Sequence, residues 1–299
     1  MIKTKTVFVL GAGASQPYGL PLGSDLYKLV IRDFSTNSQI RNEFFDATPF
    51  NQRHVDGFVK ALEFSGLTSV DAFLEKRNEF INIGKAVMAI ELLKCENHEV
   101  LWSAQDNWLK YLYARLMTDK FEEFQSNKVS FVTYNYDRTL ENFLHTSLIN
   151  SYGRNEEECK AALSHIGIVH LHGRLGHLPW QRDQSTIPFA LKAVTPQVIE
   201  ACQREIRIVH EDIEDRNVEF NVARRLLWEA KRIYFMGFGY APQNVARLNF
   251  EEMKPEIAEG TALGLTQRER GVVRDELKGK VTLQDMNCLA FLRERGMWN

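Results

Sequence analysis

Short apolar runs that end in glycine or in polar clusters recur along the chain, and they constrain its fold more than any other feature. The runs are Val7–Leu10, Val129–Val132, Ile166–Leu171, Ile233–Met236, Ala262–Leu265 and Val281–Leu283. Each is rich in β-branched or aromatic residues and lacks clean alternation, the pattern of parallel strands covered on both faces. Between several of them the apolar spacing becomes helical. Leu140, Phe143, Leu144 and Leu148 follow the second run, and Val222, Leu226, Leu227 and Ala230 precede the fourth. Strand–helix alternation of this kind predicts an α/β fold with an open, mostly parallel sheet.

The interval from about Ser35 to Gln125 departs from that alternation. It carries helical patterns such as Phe80, Ile83, Val87, Ile90 and Leu109, Leu112, Tyr113, Leu116, with no convincing strand. A large all-helical insertion after the first strand is therefore expected, with residues 36–125 as the helical module and 1–35 plus 126–299 as one nucleotide-binding domain. The region around Leu178–Thr195, with Pro179, Pro188 and the adjoining Pro196, reads as an irregular loop or lid. There is no internal repeat and no low-complexity tail.

Composition excludes several classes. Lys plus Arg number 37 and Asp plus Glu 39, a formal charge of −2; a protein built to grip nucleic acid carries a clear basic excess. Cys95, Cys159, Cys202 and Cys288 lie far apart with no CxxC, which argues against a disulfide scaffold or a zinc ribbon and for a reducing compartment. No apolar run approaches the roughly 20 residues needed to span a bilayer, and the run at Val7 is too short for a signal peptide. A soluble, cytoplasmic protein is the expectation.

Chemistry-bearing motifs sit at the ends of the expected strands. Gly11-Ala12-Gly13-Ala14-Ser15 follows the first, and Ser24 and Asp25 read as a capped helix start shortly after. Glycines there let the backbone turn sharply and approach a pyrophosphate met by N–H groups. The GxGxxG fingerprint is incomplete, because Gln16 stands at its third glycine, and no second strand with a ribose-binding acid follows. That disfavours a dehydrogenase. Thr133-Tyr134-Asn135-Tyr136-Asp137 ends the second strand. Asn135 and Asp137 could grip ribose hydroxyls at the carboxyl ends of the strands, or satisfy a turn and cap the next helix.

His170-Leu171-His172-Gly173 ends the third strand, within a stretch that also holds His165 and His177. His170 and His172 would share a face of a strand, but further metal ligands are missing. His172 beside a glycine is placed as a general base, and His170, one step inside, as a hydrogen-bonded core residue. Gly237-Phe238-Gly239 ends the fourth strand and offers a second phosphate- or ribose-facing turn. Asn287, after the last strand, suits an adenine or ribose edge or a helix cap.

Taken in order, these motifs resemble the sirtuin family. The resemblance implies a Rossmann-like, sirtuin-like parallel sheet in which Gly11, Ala12, Gly13, Ala14 and Ser15 bind the NAD diphosphate. It places Thr133, Asn135 and Asp137 at the nicotinamide ribose, makes His172 the catalytic histidine, and lets Gly237 to Gly239 close on the ribose. With Asp25, Tyr134 and Asn287 these form the expected NAD+ site, in which Asn135, His172 and Asp137 are catalytic. The zinc-binding cysteines of deacylase sirtuins are missing, since only Cys202 lies between His172 and Gly237; no zinc is expected. The stretch Thr68 to Glu75 is similar to the insertion in sirtuin-like domains of bacterial anti-phage defence systems. The resemblance thus implies an NAD+ glycohydrolase, NAD+ being its substrate. It also implies a homo-oligomer, with an NTPase or other sensor subunit as a candidate partner and no direct nucleic-acid or membrane contact. An NAD-dependent deacylase and a non-catalytic nucleotide-binding subunit are the alternatives.

Overall fold

The computed structural model describes residues 1–182, 184–208 and 218–296. Its core is a six-stranded parallel sheet in the order β3-β2-β1-β4-β5-β6. The strands are β1 (Thr6–Leu10), β2 (Val129–Thr133), β3 (Gly167–His170), β4 (Arg232–Met236), β5 (Ile257–Thr261) and β6 (Thr282–Gln284). Phe8 is in register with Phe131 on one side and with Tyr234 on the other. This is a Rossmann-like α/β fold, with the chain reversing its direction of travel across the sheet between β1 and β4.

Alternation along β1 explains why its run is apolar throughout. Phe8 and Leu10 enter one core and Val7 and Val9 the other, so every position is buried. On the first face Phe8 stacks on Phe131 at 5.4 Å and leans on Tyr234 at 5.5 Å. On the second, Val9, Val132, Ile233 and Phe235 pack beneath helices Val218–Glu229, Pro242–Arg247 and Gln267–Glu276.

Every described element between β1 and β2 is helical. Its buried side chains, including Phe34, Phe58, Leu74, Val87 and Leu112, form one continuous core with the Phe8 face of the sheet. Helix Ile81–Cys95 is apolar nearly all round, with Ala86 to Ile90 inaccessible to solvent, as a helix enclosed on every side must be. No described helix is long and apolar enough to cross a membrane.

The fifth strand corrects the sequence reading. It is Ile257–Thr261, not the more apolar Ala262–Leu265, which leaves Leu263 65% exposed and bends at Gly264 with φ +81°. Glu259 hides the strand from a hydrophobicity scan; its carboxylate pairs with Arg295 of helix Cys288–Arg295. The third strand is shorter than its run and ends at His170.

Candidate functional site

The sheet order reverses between β1 and β4, and the crevice that forms there is the usual ligand position in such folds. The loops after these strands meet through glycine. Gly11 N–H donates to Met236 O at 3.1 Å and Gly13 N–H to Gly237 O at 2.9 Å. A Cβ on Gly237 would lie 2.0 Å from Ala14 N, and one on Gly11 would lie 2.6 Å from Gly237 O. Gly237 also needs its φ of +56°. These glycines therefore lock one loop onto the other. The N–H groups of Gly11, Gly13 and Ala14 are all satisfied within the protein, so they do not form the anion cradle that the sequence suggests.

Two cavities flank this glycine ridge and share Ala12, Gly23, Phe238 and Gly239. The first, about 320 Å³, brings together Gly11, Ser15, Tyr134, Asn135, Asp137 and His172 from the ends of β1, β2 and β3. The second, about 540 Å³, is lined by Gly13, Gly237, Thr261, Leu263 and Asn287, among others. Three residues expected at the site line neither cavity. Ala14 is buried, its carbonyl accepting the Trp108 indole N–H at 2.7 Å. Thr133 is buried and its hydroxyl accepts the Asn135 N–H at 3.0 Å, a supporting position. Asp25 pairs with Lys28 at 3.0 Å.

Asn135 is held from three sides. Its Nδ2 donates to Gly11 O and to Ser15 Oγ, both at 3.0 Å, its N–H to Thr133, and its carbonyl accepts from His170 Nδ1 at 2.9 Å. His170 in turn meets Glu141 Oε1 at 2.7 Å through Nε2. Burial works to raise the Glu141 carboxyl, but His170, with Arg174 beyond it, holds it below the ordinary range. His170 is thus the core histidine expected of it, and it orients the loop that carries Asn135.

His172 lies past the end of β3, so strand alternation no longer governs it and it parts company with His170. Its ring sits against Tyr134 at 5.3 Å, edge-on, and within 6.4 Å of Tyr136 and Phe220. Burial, and secondarily the charge of Arg247, push its pKa down to about 4, and its buried Nε2 has no hydrogen-bond partner among the described residues. Gly173 follows because a Cβ there would fall 1.8 Å from Glu205 O. Tyr134 closes the wall: its hydroxyl donates to Asn244 O at 2.8 Å, its ring packs on Phe238 at 5.0 Å, and burial holds the hydroxyl above its usual range.

Asp137 is buried and lines the first cavity, while its Oδ1 accepts the Thr139 N–H at 3.1 Å ahead of helix Thr139–Tyr152. Its structural and cavity-facing roles coexist. Asn287 does likewise, capping helix Cys288–Arg295 through Ala290 N–H at 2.8 Å. Helix Gly23–Ser35 starts one residue before the expected Ser24. Leu22 takes its cap position and supplies no side-chain hydrogen bond. That helix start, at Gly23, borders both cavities.

Sequence reasoning assigned no role to the far wall of the first cavity. Helix Val70–Leu74, capped by Ser69, presents Asp71 to it, and Glu75, the C-cap residue one turn on, lines it as well. Val70, Phe73 and Leu74 bury the opposite face, each contributing about 1.5–3 kcal/mol. Leu74 fits against Gly84, where a Cβ would come within 2.5 Å of it. Asp71 Oδ1 accepts the Tyr136 hydroxyl at 2.5 Å. The available signal was this i, i+4 acidic pair on a helix whose other face is apolar. Among the described residues no group of three or more His, Cys, Asp or Glu is placed to hold a metal ion, and all four cysteines are unpaired. No family model matches this chain and no curated protein is similar enough to be matched as a relative, so the functional reading stands on the site's own geometry and on its motifs.

Proposed function

We propose that the chain is an NAD+ glycohydrolase that cleaves the nicotinamide–ribose bond to give nicotinamide and ADP-ribose. One observation carries the reading. A cavity holding Asn135, Asp137 and a neutral His172 adjoins a second cavity across the β1–β4 switch point, an arrangement suited to a two-headed nucleotide. The order of the sirtuin-like motifs supports the same ligand.

In this reading the nicotinamide ribosyl group occupies the first cavity and the adenosine half the second. The diphosphate crosses at Ala12, Phe238 and Gly239. There it meets the N-terminus of helix Gly23–Ser35, whose leading N–H groups receive no side-chain cap and whose dipole favours an anion.

Cleavage breaks the C1′–N bond, and its electron pair leaves with the ring nitrogen as neutral nicotinamide. The ribose passes through an oxocarbenium-like state, as in glycoside hydrolysis. Water adds to C1′ and its proton passes to solvent. Asn135 positions the ribose and the water. Asp137 stabilises the developing positive charge electrostatically. His172 is neutral at pH 7 and too weakly basic to hold a full proton there, so it serves as a hydrogen-bond acceptor for a ribose hydroxyl or the attacking water. The wider reading as a sirtuin-like, NAD-depleting defence effector, acting as a homo-oligomer or with a sensor subunit, rests on the motif resemblance.

The test is nicotinamide release from NAD+ by the purified chain, with His172→Ala and Asn135→Ala as controls. The expected result is release by the native chain and its loss in both variants while each remains folded. Wild-type turnover in either variant would sink the assignment.

A further inference from the structure

The first cavity has a charge asymmetry that the catalytic residues do not account for. Asp71 faces it from helix Val70–Leu74, Glu75 from the residue that ends that helix, and Asp137 from the loop after β2. Among the described residues that line it there is no lysine or arginine. Like charges gathered around a half-enclosed space repel one another, and a cation entering it is attracted by all of them. The second cavity, by contrast, has Asp106 as its one charged lining residue among those described.

The far wall is fixed in place. The apolar face of helix Val70–Leu74 is buried against helix Ile81–Cys95, and the Tyr136 hydroxyl donates to Asp71 at 2.5 Å. Burial raises the Asp71 carboxyl, with a smaller upward push from Glu75, while the Tyr136 hydrogen bond favours its ionised form. A second observation also points to a ligand. His172, 8% exposed, lines the same cavity with its Nε2 unpartnered among the described residues. A buried polar atom left in this state lacks a bond worth about 1–3 kcal/mol.

We propose that Asp71 and Glu75 are specificity-determining residues that select a cationic head group for this cavity. It thereby takes the oxidised, positively charged pyridinium and rejects the neutral, reduced dihydropyridine. Naming that cation as a pyridinium rests on the functional reading above; the selection for positive charge does not. The wall belongs to the helical segment between β1 and β2, so that segment completes the ligand site.

The test compares two small probes on the intact chain: 1-methylnicotinamide, a cation, and nicotinamide, its neutral counterpart. Calorimetry or ligand-observed NMR measures binding to the native chain, Asp71→Asn, Glu75→Gln and the double variant. Both substitutions keep shape, and the amide introduced by Asp71→Asn retains an oxygen for Tyr136. The cation is expected to bind about tenfold more tightly to the native chain, and the double variant to lose that preference. In the native chain alone the preference should shrink between low salt and 1 M salt, where the Debye length falls to about 3 Å; this holds even if a variant fails to fold.

Equal binding of the two probes to the native chain, binding of neither, or an undiminished preference in the folded double variant overturns the inference. NAD+ cleavage is scored separately. A cation preference without cleavage leaves the inference standing and removes the glycohydrolase reading; cleavage without a preference does the reverse.

Discussion

The side chain of Asn135 is bonded to the backbone of Gly11: its Nδ2 donates to the Gly11 carbonyl at 3.0 Å and, over the same distance, to Ser15 Oγ. One amide thus ties the loop after β2 to the loop after β1. The residue proposed to position the ribose is also the clip that sets the shape of the cavity.

Asn135→Ala removes both of those hydrogen bonds and should cost about 1–3 kcal/mol of stability along with nicotinamide release. Thermal unfolding and a chromatographic nicotinamide assay measure the two effects. An unchanged melting temperature would show that the clip is not made in solution.

The glycines of the ridge should respond very differently from one another. Gly237→Ala places a methyl 2.0 Å from Ala14 N at a φ of +56°, combining left-handed strain of about 1–2 kcal/mol with overpacking of about 1–3 kcal/mol. A Cβ on Gly239 meets nothing within 4 Å, so Gly239→Ala should fold normally while projecting a methyl at the junction of the two cavities. Urea denaturation of both variants, with NAD+ binding measured on Gly239→Ala, checks the contrast. Equal stability of the two would refute the packing account.

His172 makes stability depend on pH. Its folded pKa of about 4 lies below its ordinary value of 6.5, so between those values the unfolded chain binds a proton that the native state refuses. Stability therefore falls as the pH drops from about 6.5 and levels off below about 4, by roughly 3 kcal/mol in total from this group. His172→Gln should flatten that portion of the curve. Activity should correspondingly show no limb near pH 6.5 from His172. Parallel pH–stability curves for the native chain and His172→Gln would count against the buried, neutral imidazole.

The Glu141–His170 pair should tolerate one change and not another. The Asn135 carbonyl can only accept, so His170 Nδ1 must carry a proton, and Nε2 then shares a proton with the Glu141 carboxylate. In Glu141→Gln the amide can donate to a neutral His170, at a cost of about 1 kcal/mol. Glu141→Ala leaves a buried imidazole without its partner and should cost about 3 kcal/mol or more. Chemical denaturation distinguishes them, and nicotinamide release should decline in the same order as Asn135 loses its support.

Much of the scaffold was legible because burial on two faces leaves a local mark. Val7–Leu10, Val129–Val132 and Ile233–Met236 each fall within a strand of the sheet. Ile257–Thr261 escaped because Glu259 takes its stability from an ion pair with Arg295 rather than from burial alone. Asn135, Asp137 and His172 were nameable from their places at strand ends, and the structure brings them to one cavity. Asp25 lines neither cavity: it sits in the first turn of helix Gly23–Ser35 and pairs there with Lys28 at the surface.

By itself the sequence determined that strands alternate with helices, that a long helical stretch follows the first strand, and that polar groups cluster where strands end. Those are properties of neighbours along the chain, written in apolar periodicity and in glycine. Only the tertiary structure decided that Gly11 and Gly13 serve loop packing against Gly237 more than an anion, and that His172 is held neutral. It also decided that Asp71 and Glu75, some sixty residues from Asn135 in sequence, share its cavity. Each of these depends on which distant atoms come within a few ångströms and on how much water they exclude, and neither is set by local sequence.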